Sequence, residues 1–313
     1  MLPPRRFLPS FSLLAAFEAA ARTGSVTAAA NELGLTQSAV SRQISALEKQ
    51  LGVPLFLRER QTIRLTLAGD GYAREIREAL RRISNASLSL RAHPQGGAIT
   101  VAVLPMFGAR WLAPRLGRFL DANPGVAVNV VSRLEPFDFR FDPIDAAIHF
   151  GAARWPGAEL TPLMQEEMVA VCSPEFRRRF SLQEPKDLLQ VPLIHLNSRP
   201  DAWENWFLAN DVRFESLHGM LFDQFMAIAE AAVAGLGAAL LPAFLIEREL
   251  SAGTLELVVP GRPIQAGAYY LANPADRDGY PPFSTFKAWL IAEARKTEAD
   301  RTGLQSPDPS ANS

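Results

Sequence analysis

Apolar positions recur every three or four residues from Ser25 to Gly52, and this stretch predicts two short helices joined by a tight turn. Ser25 can cap the first, whose inward positions are Val26, Ala29, Ala30 and Leu33, and Gly34 ends it. Thr36 can cap the second, in which Ala39, Val40, Ile44, Leu47 and Leu51 form one stripe that stops at Gly52. The opposite face carries Gln37, Ser38, Ser41, Arg42 and Ser45. These are short or planar hydrogen-bonding side chains in the first turns, where a recognition helix meets base edges and phosphates. Spacing alone leaves a plain helical hairpin with a solvated polar face equally open.

Upstream, Ser10 or Ser12 can start a helix that runs to about Arg22 and ends at Gly24, with Leu13, Leu14, Phe17, Ala20 and Ala21 on one side. Downstream, Leu55–Arg58 and Ile63–Leu65 flank Glu59-Arg60-Gln61 and predict a hairpin, or wing. Arg58, Arg60 and Arg64 on it suit phosphates or the minor groove, unless the hairpin is merely a solvated basic one. From Thr66 the pattern becomes a long helix. Tyr72, Ile76, Ala79, Ile83, Ala86 and Leu90 repeat with heptad spacing, as in a two-stranded seam. Such a helix of about 24 residues would extend some 36 Å. Having no core of its own to cover, it predicts pairing with a second copy.

His93-Pro94-Gln95-Gly96-Gly97 marks a boundary by composition. Beyond it, strand-like runs alternate with helical ones, which is an α/β pattern. Strands are expected at Ile99–Leu104, Val126–Val131, Ala146–Phe150, Met168–Cys172, Leu193–Leu196, Gly237–Leu241 and Ala268–Ala272. Helices are expected at Ala109–Leu120, Pro185–Leu189, Ala202–Leu208, Phe222–Ala234 and Pro282–Lys296. Residues 301–313 lack apolar content and predict a disordered tail.

Charge sharpens the division. The chain of 313 residues carries a net −1, but residues 1–92 hold 13 Lys/Arg against 7 Asp/Glu and residues 93–313 hold 19 against 26, giving +6 and −7. A basic head on an acidic body fits a nucleic-acid binder with a separate module, although charge alone also permits a membrane-surface role. The single cysteine, Cys172, rules out an internal disulfide and reads as a buried structural thiol rather than a redox sensor. Arg5-Arg6 before FLPSFSLLAAF imitates a signal peptide, but Pro9 and Glu18 interrupt its apolar core. The run from Ala231 to Ile246 is too short to span a bilayer and contains Gly235, Gly237 and Pro242. These features predict a cytoplasmic, nucleoid-associated chain with no membrane partner.

Four histidines, His93, His149, His195 and His218, show no metal-ligand spacing. No nucleophile elbow or phosphate loop accompanies them, and Gly235-Leu236-Gly237 leads from helix to strand, the reverse of a phosphate-cradling order. Neither catalytic residues nor a metal or cofactor is therefore expected, although linear sequence leaves open residues brought together by folding. Strand ends of an α/β fold face a ligand crevice. On that logic Pro105, Met106 and Phe107, then Ser132 and Arg133, then His149 to Gly151, are candidates, with His195 and the Phe222-Asp223-Gln224 corner from elsewhere in the sheet. His195, between Ile194 and Leu196, reads equally as a core histidine, and Met106 and Phe107 as core.

The run SVTAAANELGLTQSAVSRQISALEKQLG, followed by PLFLR at 54–58 and LTLAG at 65–69, closely resembles the N-terminal domain of LysR-type transcriptional regulators. LPMFGARWLAPRL, DPIDAAIHFG, VAVCSPEF, SRPDAW and AVAGLGAALLP resemble the effector domain of the same family, so the likeness spans about residues 10–296. FEAAAR at 17–22 and the Trp155-Pro156-Gly157 turn look most like the branch containing glycine-cleavage activators and β-lactamase regulators. The resemblance implies an α-helix-rich winged helix-turn-helix at 9–66, with its helix-turn-helix at 26–45. A linker and dimerisation helix would follow at 67–92. A two-lobed α/β effector domain like periplasmic solute-binding proteins (type 2) would occupy 97–300, lobe I at about 97–168 and 267–300 and lobe II at about 169–266. Promoter DNA would be touched by Ser25, Thr27, Thr36, Gln37, Ser38, Ser41, Arg42, Arg58, Arg60 and Arg64. The seam of Tyr72, Ile76, Ala79, Ile83 and Leu90 would make a homodimer, extended to a homotetramer, on an interrupted palindrome. Further implied partners are an unidentified small-molecule effector between the lobes and RNA polymerase. A solute carrier or an enzyme are the competing classes. The family's first effector loop commonly reads Pro-Ser-Phe. Here it is Pro105-Met106-Phe107, without the hydroxyl that suits an anion at a helix start.

Overall fold

The computed structural model describes residues 7–59, 62–92 and 97–304. The chain divides into two compact units between Pro94 and Gln95.

In the first unit, α1 (Phe11–Thr23), α2 (Val26–Leu33) and α3 (Gln37–Leu51) enclose a small core of Phe17, Ala20, Ala29, Val40, Ile44 and Leu47. The punctuation is local. Ser25 Oγ accepts from Ala28 N–H, Thr36 Oγ1 accepts from Ala39 N–H, and Gly24, Gly34 and Gly52 end the helices in the left-handed conformation. The antiparallel pair β1 (Phe56–Glu59) and β2 (Thr62–Leu65) follows as the wing. Two side chains fasten it. Glu48 Oε1 accepts from the backbone N–H of Leu55 at 2.8 Å and of Phe56 at 3.1 Å. Thr66 Oγ1 accepts from Gly69 N–H and donates to Pro54 O, both at 2.9 Å. Gly69 is required at that crossing, since a Cβ there would lie 2.1 Å from Leu55 O.

Helix α4 (Leu67–Ala92) leaves the wing and runs for 26 residues. The seam expected along it divides in two. Tyr72, Ala73 and Ile76 pack into the unit's own core, with the Tyr72 ring 5.4 Å from Phe17, and Arg77 pairs with Glu18 of α1 at 2.9 Å. The early heptad positions are thus already covered, contrary to the expectation that the helix had no core to pack on. Ala79 and the later positions Ile83, Ala86 and Leu90 are exposed, with Ile83 at 51% and Leu90 at 67%.

The second unit is built on one sheet whose main path is β4-β3-β5-β11-β6-β9-β7-β8. Strands β3 (Ala98–Val103), β4 (Ala127–Ser132) and β5 (Ala146–Gly151) are parallel, and β3 is joined to β4 through a helix that contains a π turn at Phe107–Leu112 and continues as α5 (Ala113–Ala122). Two antiparallel strands, β6 (Glu159–Cys172) and β11 (Ile264–Asn273), carry the chain between the two lobes. The second lobe holds α6 (Pro174–Phe180), β7 (Leu193–Leu196), α7 (Ala202–Ala209), β8 (Gly219–Phe222), α8 (Phe225–Val233), β9 (Ala238–Pro242), α9 (Glu247–Ala252) and β10 (Glu256–Leu257). Strand β7 runs parallel to β8 and β9. Phe222 therefore ends a strand rather than starting a helix.

Helix α10 (Pro281–Leu304) seals the first lobe with Phe283, Phe286, Leu290 and Ala294. It continues past Lys296 because Glu298, Ala299 and Arg301 favour helix and no breaker intervenes before Gly303. Thr297 anchors the extension by accepting from Trp111 Nε1 at 3.0 Å. Residues 301–304 are thus helical rather than part of a disordered tail, and 305–313 fall outside the described residues.

Candidate functional site

Two sites have to be built, one on each unit. On the first, the stripe that buries Val40, Ile44 and Leu47 necessarily turns the other face of α3 outward. Gln37, Ser38, Arg42 and Ser45 are exposed and Ser41 is half-buried on that face. Arg42 makes no ion pair among the described residues. Thr27 is exposed at the start of α2. The hydroxyls of Ser25 and Thr36 are already engaged as helix caps, and Thr36 Oγ1 lies 3.1 Å from Ser38 Oγ. Arg64 is exposed on β2, and Arg58 belongs to β1. Arg60 and the side chain of Arg58 lie outside the described residues.

On the second unit, a cleft of about 520 Å³ opens where the strands of both lobes end. One lobe contributes Leu104, Pro105, Met106 and Phe107 after β3, Leu134 and Glu135 after β4, and Phe150 of β5. The other contributes Leu196 to Arg199 after β7, Asp223 to Met226 at the start of α8, and Leu245. Tyr269 of β11 closes the back.

The back wall holds a charge network. Glu166 on β6 is fully buried and faces Arg199, whose side chain is 13% exposed. Arg199 donates from Nη1 to Glu166 Oε1 and from Nη2 to Oε2, the latter at 3.3 Å, while Tyr269 Oη donates to Oε2. Burial, reinforced by the Glu166 charge, holds the Tyr269 phenol well above its usual range, so it remains a donor. The Arg199 guanidinium lies 3.8 Å from the Phe150 ring centroid and 4.7 Å from that of Phe225. A bidentate carboxylate at its edge and aromatic rings beside it compensate for its desolvation.

Of the residues expected at the crevice, Pro105, Met106, Phe107, Phe150, Asp223 and Gln224 line this cleft, whereas Ser132, Arg133, His149, Gly151, His195 and Phe222 do not. For His149 and His195 the cause is the twofold alternation of strands, by which a shift of one residue turns a side chain to the other face. Phe150 lines the cleft, so its neighbour His149 points the other way. Its ring packs 5.4 Å from Trp155, with Nε2 2.9 Å from Ala152 O. Leu196 lines the cleft, and His195 beside it is half-buried on the opposite face, where burial lowers its pKa. Ser132 is exposed at the end of the edge strand β4. Arg133 and His149 line a separate crevice of about 90 Å³ next to the cleft. Gly151 and Phe222 sit at strand ends, where they pair with Ala268 and Leu196.

Sequence reasoning missed Arg199, Glu166, Tyr269, Glu135 and the Asn197-Ser198 turn. A usable signal existed for two of them. Glu166 interrupts a strand, and Arg199 directly precedes Pro200 in the segment already singled out at 198–203. Cys172 is fully buried, and burial pushes its thiol up to about 12, consistent with a structural role. Among the described residues no group of three His, Cys, Asp or Glu side chains could hold a metal, and no helix is long and apolar enough to cross a membrane.

A winged helix-turn-helix with an outward polar face, carried with a two-lobed ligand cleft, defines a ligand-responsive DNA-binding regulator. Residues 11–70 match the family described as "Bacterial regulatory helix-turn-helix protein, lysR family", and residues 92–295 match the LysR substrate binding domain, so the chain belongs to the LysR family of transcriptional regulators. It is 34% identical over 289 residues to the glycine cleavage system transcriptional activator of Escherichia coli K12, covering 92% of this chain and 94% of that one. It is 35% identical over 281 residues to the transcriptional activator AmpR of Rhodobacter capsulatus, covering 90% and 96%. The effector domain of AmpR from Pseudomonas aeruginosa superposes with a TM-score of 0.60 at 29% identity, covering 66% of this chain and 99% of that one.

Proposed function

We propose that this regulator binds an interrupted palindrome in promoter DNA as a homodimer, assembled further into a homotetramer, and that a small molecule between the lobes of the second unit changes how it sits on and bends the DNA. Gln37, Ser38, Ser41 and Arg42 contact base edges and phosphates. Thr27 and the wing arginines Arg58, Arg60 and Arg64 hold the backbone, and Ser25 and Thr36 contribute through the helix starts they cap. The observation that carries this reading is the outward polar face of α3, with an Arg42 that makes no ion pair among the described residues, on a unit of net charge +6.

Dimerisation runs through the outer part of α4, Ala79, Ile83 and Leu90, whereas Tyr72 and Ile76 steady the root of that helix. Two α3 helices fixed in this way read half-sites about one helical turn apart, or a multiple of it. The bent complex then acts on RNA polymerase, in the cytoplasm, with no cofactor beyond the effector. A gel-shift titration of Arg42→Ala tests the DNA reading. Operator affinity should fall by about 1–3 kcal/mol per lost contact while the oligomer stays intact in analytical ultracentrifugation. Unchanged affinity would remove Arg42 from the interface.

A further inference from the structure

The charges around the cleft define what it can hold. Arg199 is its one lining cation among the described residues, and that charge is spent. Its guanidinium is bonded at both ends to the buried Glu166 carboxylate and flanked by the Phe150 and Phe225 rings. The remaining lining charges are two carboxylates, Glu135 from the loop after β4 and Asp223 from the turn before α8, one on each lobe. Both are exposed, and neither has an ion-pair partner within 4 Å among the described residues. Arg133, near Glu135 in sequence, directs Nη1 to Ser132 O instead.

Helix starts do not reverse this balance. Asp223 immediately precedes Gln224, the cap of α8, and its negative charge offsets the positive end of that helix. At the start of the helix after β3, Met106 is buried and offers no hydroxyl. Most of the remaining wall is apolar, including Leu104, Leu134, Met226 and Leu245.

We infer that the effector is an amphipathic cation, an amine or amidine on an apolar body, and not a carboxylate. This rests on the reading of the cleft as the effector site. The apolar body packs on the leucine and aromatic walls, and the cationic end sits between Glu135 and Asp223. A cation that contacts both carboxylates ties one lobe to the other, so binding and lobe closure are coupled.

The test is calorimetric titration of the full-length protein with probes that share a body and differ in charge: tryptamine against indole-3-acetate, and phenethylamine against phenylacetate. Each amine should bind at least about tenfold more tightly than its carboxylate twin, the fold-change expected for a hydrogen bond to a charged group. Glu135→Gln and Asp223→Asn should each weaken amine binding about tenfold, and together they should abolish the preference. Equal or tighter carboxylate binding, a preference that survives the double substitution, or no amine binding at millimolar concentration overturns the proposal.

Ser198→Trp, which fills the cleft, separates the two levels of inference. If a carboxylate binds and this variant abolishes it, the cleft remains the effector site and the cationic class is wrong. If probe binding is indifferent to Ser198→Trp, the cleft reading itself fails.

Discussion

Replacing Glu166 by Gln removes one charge from a site that water does not reach, and the structure sets the size of the effect. Glu166 is fully buried and is bonded to Arg199 at both oxygens and to Tyr269. Breaking a buried pair by deleting one partner costs about 3–5 kcal/mol, because the other charge is stranded. Arg199 retains 13% exposure toward the cleft and can partly rehydrate, which places the expected loss near the lower end, about 3 kcal/mol. For a unit of this size that corresponds to a fall in Tm of about 6–12 °C.

The double variant Glu166→Gln with Arg199→Met removes both charges, leaves an amide to accept from Tyr269, and lays a flexible thioether against Phe150 and Phe225. It should recover stability to within about 1 kcal/mol of the parent. Urea unfolding followed by tryptophan fluorescence is the assay. All five tryptophans lie between Trp111 and Trp289, so the signal reports the second unit alone. A single variant costing under about 1 kcal/mol, or a double variant no more stable than the single, would show that Arg199 and Glu166 are not a mutually dependent buried pair.

Further outcomes concern the linker helix and His195. Ile83→Asp with Leu90→Asp should dissociate the dimer in analytical ultracentrifugation while leaving the winged unit folded by circular dichroism. Ile76→Asp should instead unfold that unit, because Ile76 packs into its core. The pKa of His195 is lowered by burial, so below its ordinary value near 6.5 the unfolded chain binds more protons than the folded one. The second unit should therefore lose stability as pH falls from about 6.5, and His195→Gln should flatten that slope in urea titrations at several pH values.

The first unit was legible because its information is local. Ser25, Thr36 and Gly34 each declare a helix end within four residues of the chain, and their hydrogen bonds follow that grammar. The heptad run was ambiguous for a physical reason: Tyr72 and Ile76 satisfy the same spacing whether they meet a second copy or α1 of their own unit. In the second unit, parallel strands with continuous apolar runs, such as Ala98–Val103, were visible. The apolar pattern marks strand β6 only over its last five residues, since Pro162 and Glu166-Glu167 interrupt the stretch before Met168. Strand β11 was shortened in the same way by Gly267, beside an irregular register with β6. The cleft residues that were missed depend on strand parity and on Arg199 meeting Glu166, 33 positions away, and neither is written in any local window.

The crossing strands have a consequence for how such a regulator can diversify. The chain leaves the first lobe along β6 and returns along β11, with Met168 paired directly to Ile264. Everything between those positions thus departs from and rejoins the sheet at neighbouring points, about 5 Å apart as paired strands are. The second lobe is topologically a cassette inserted into one antiparallel pair. It carries half of the cleft wall, including Arg199 and Asp223, and none of the DNA-reading surface. Exchanging that cassette alone could give the regulator a new chemical input while its recognition helix kept the same operator.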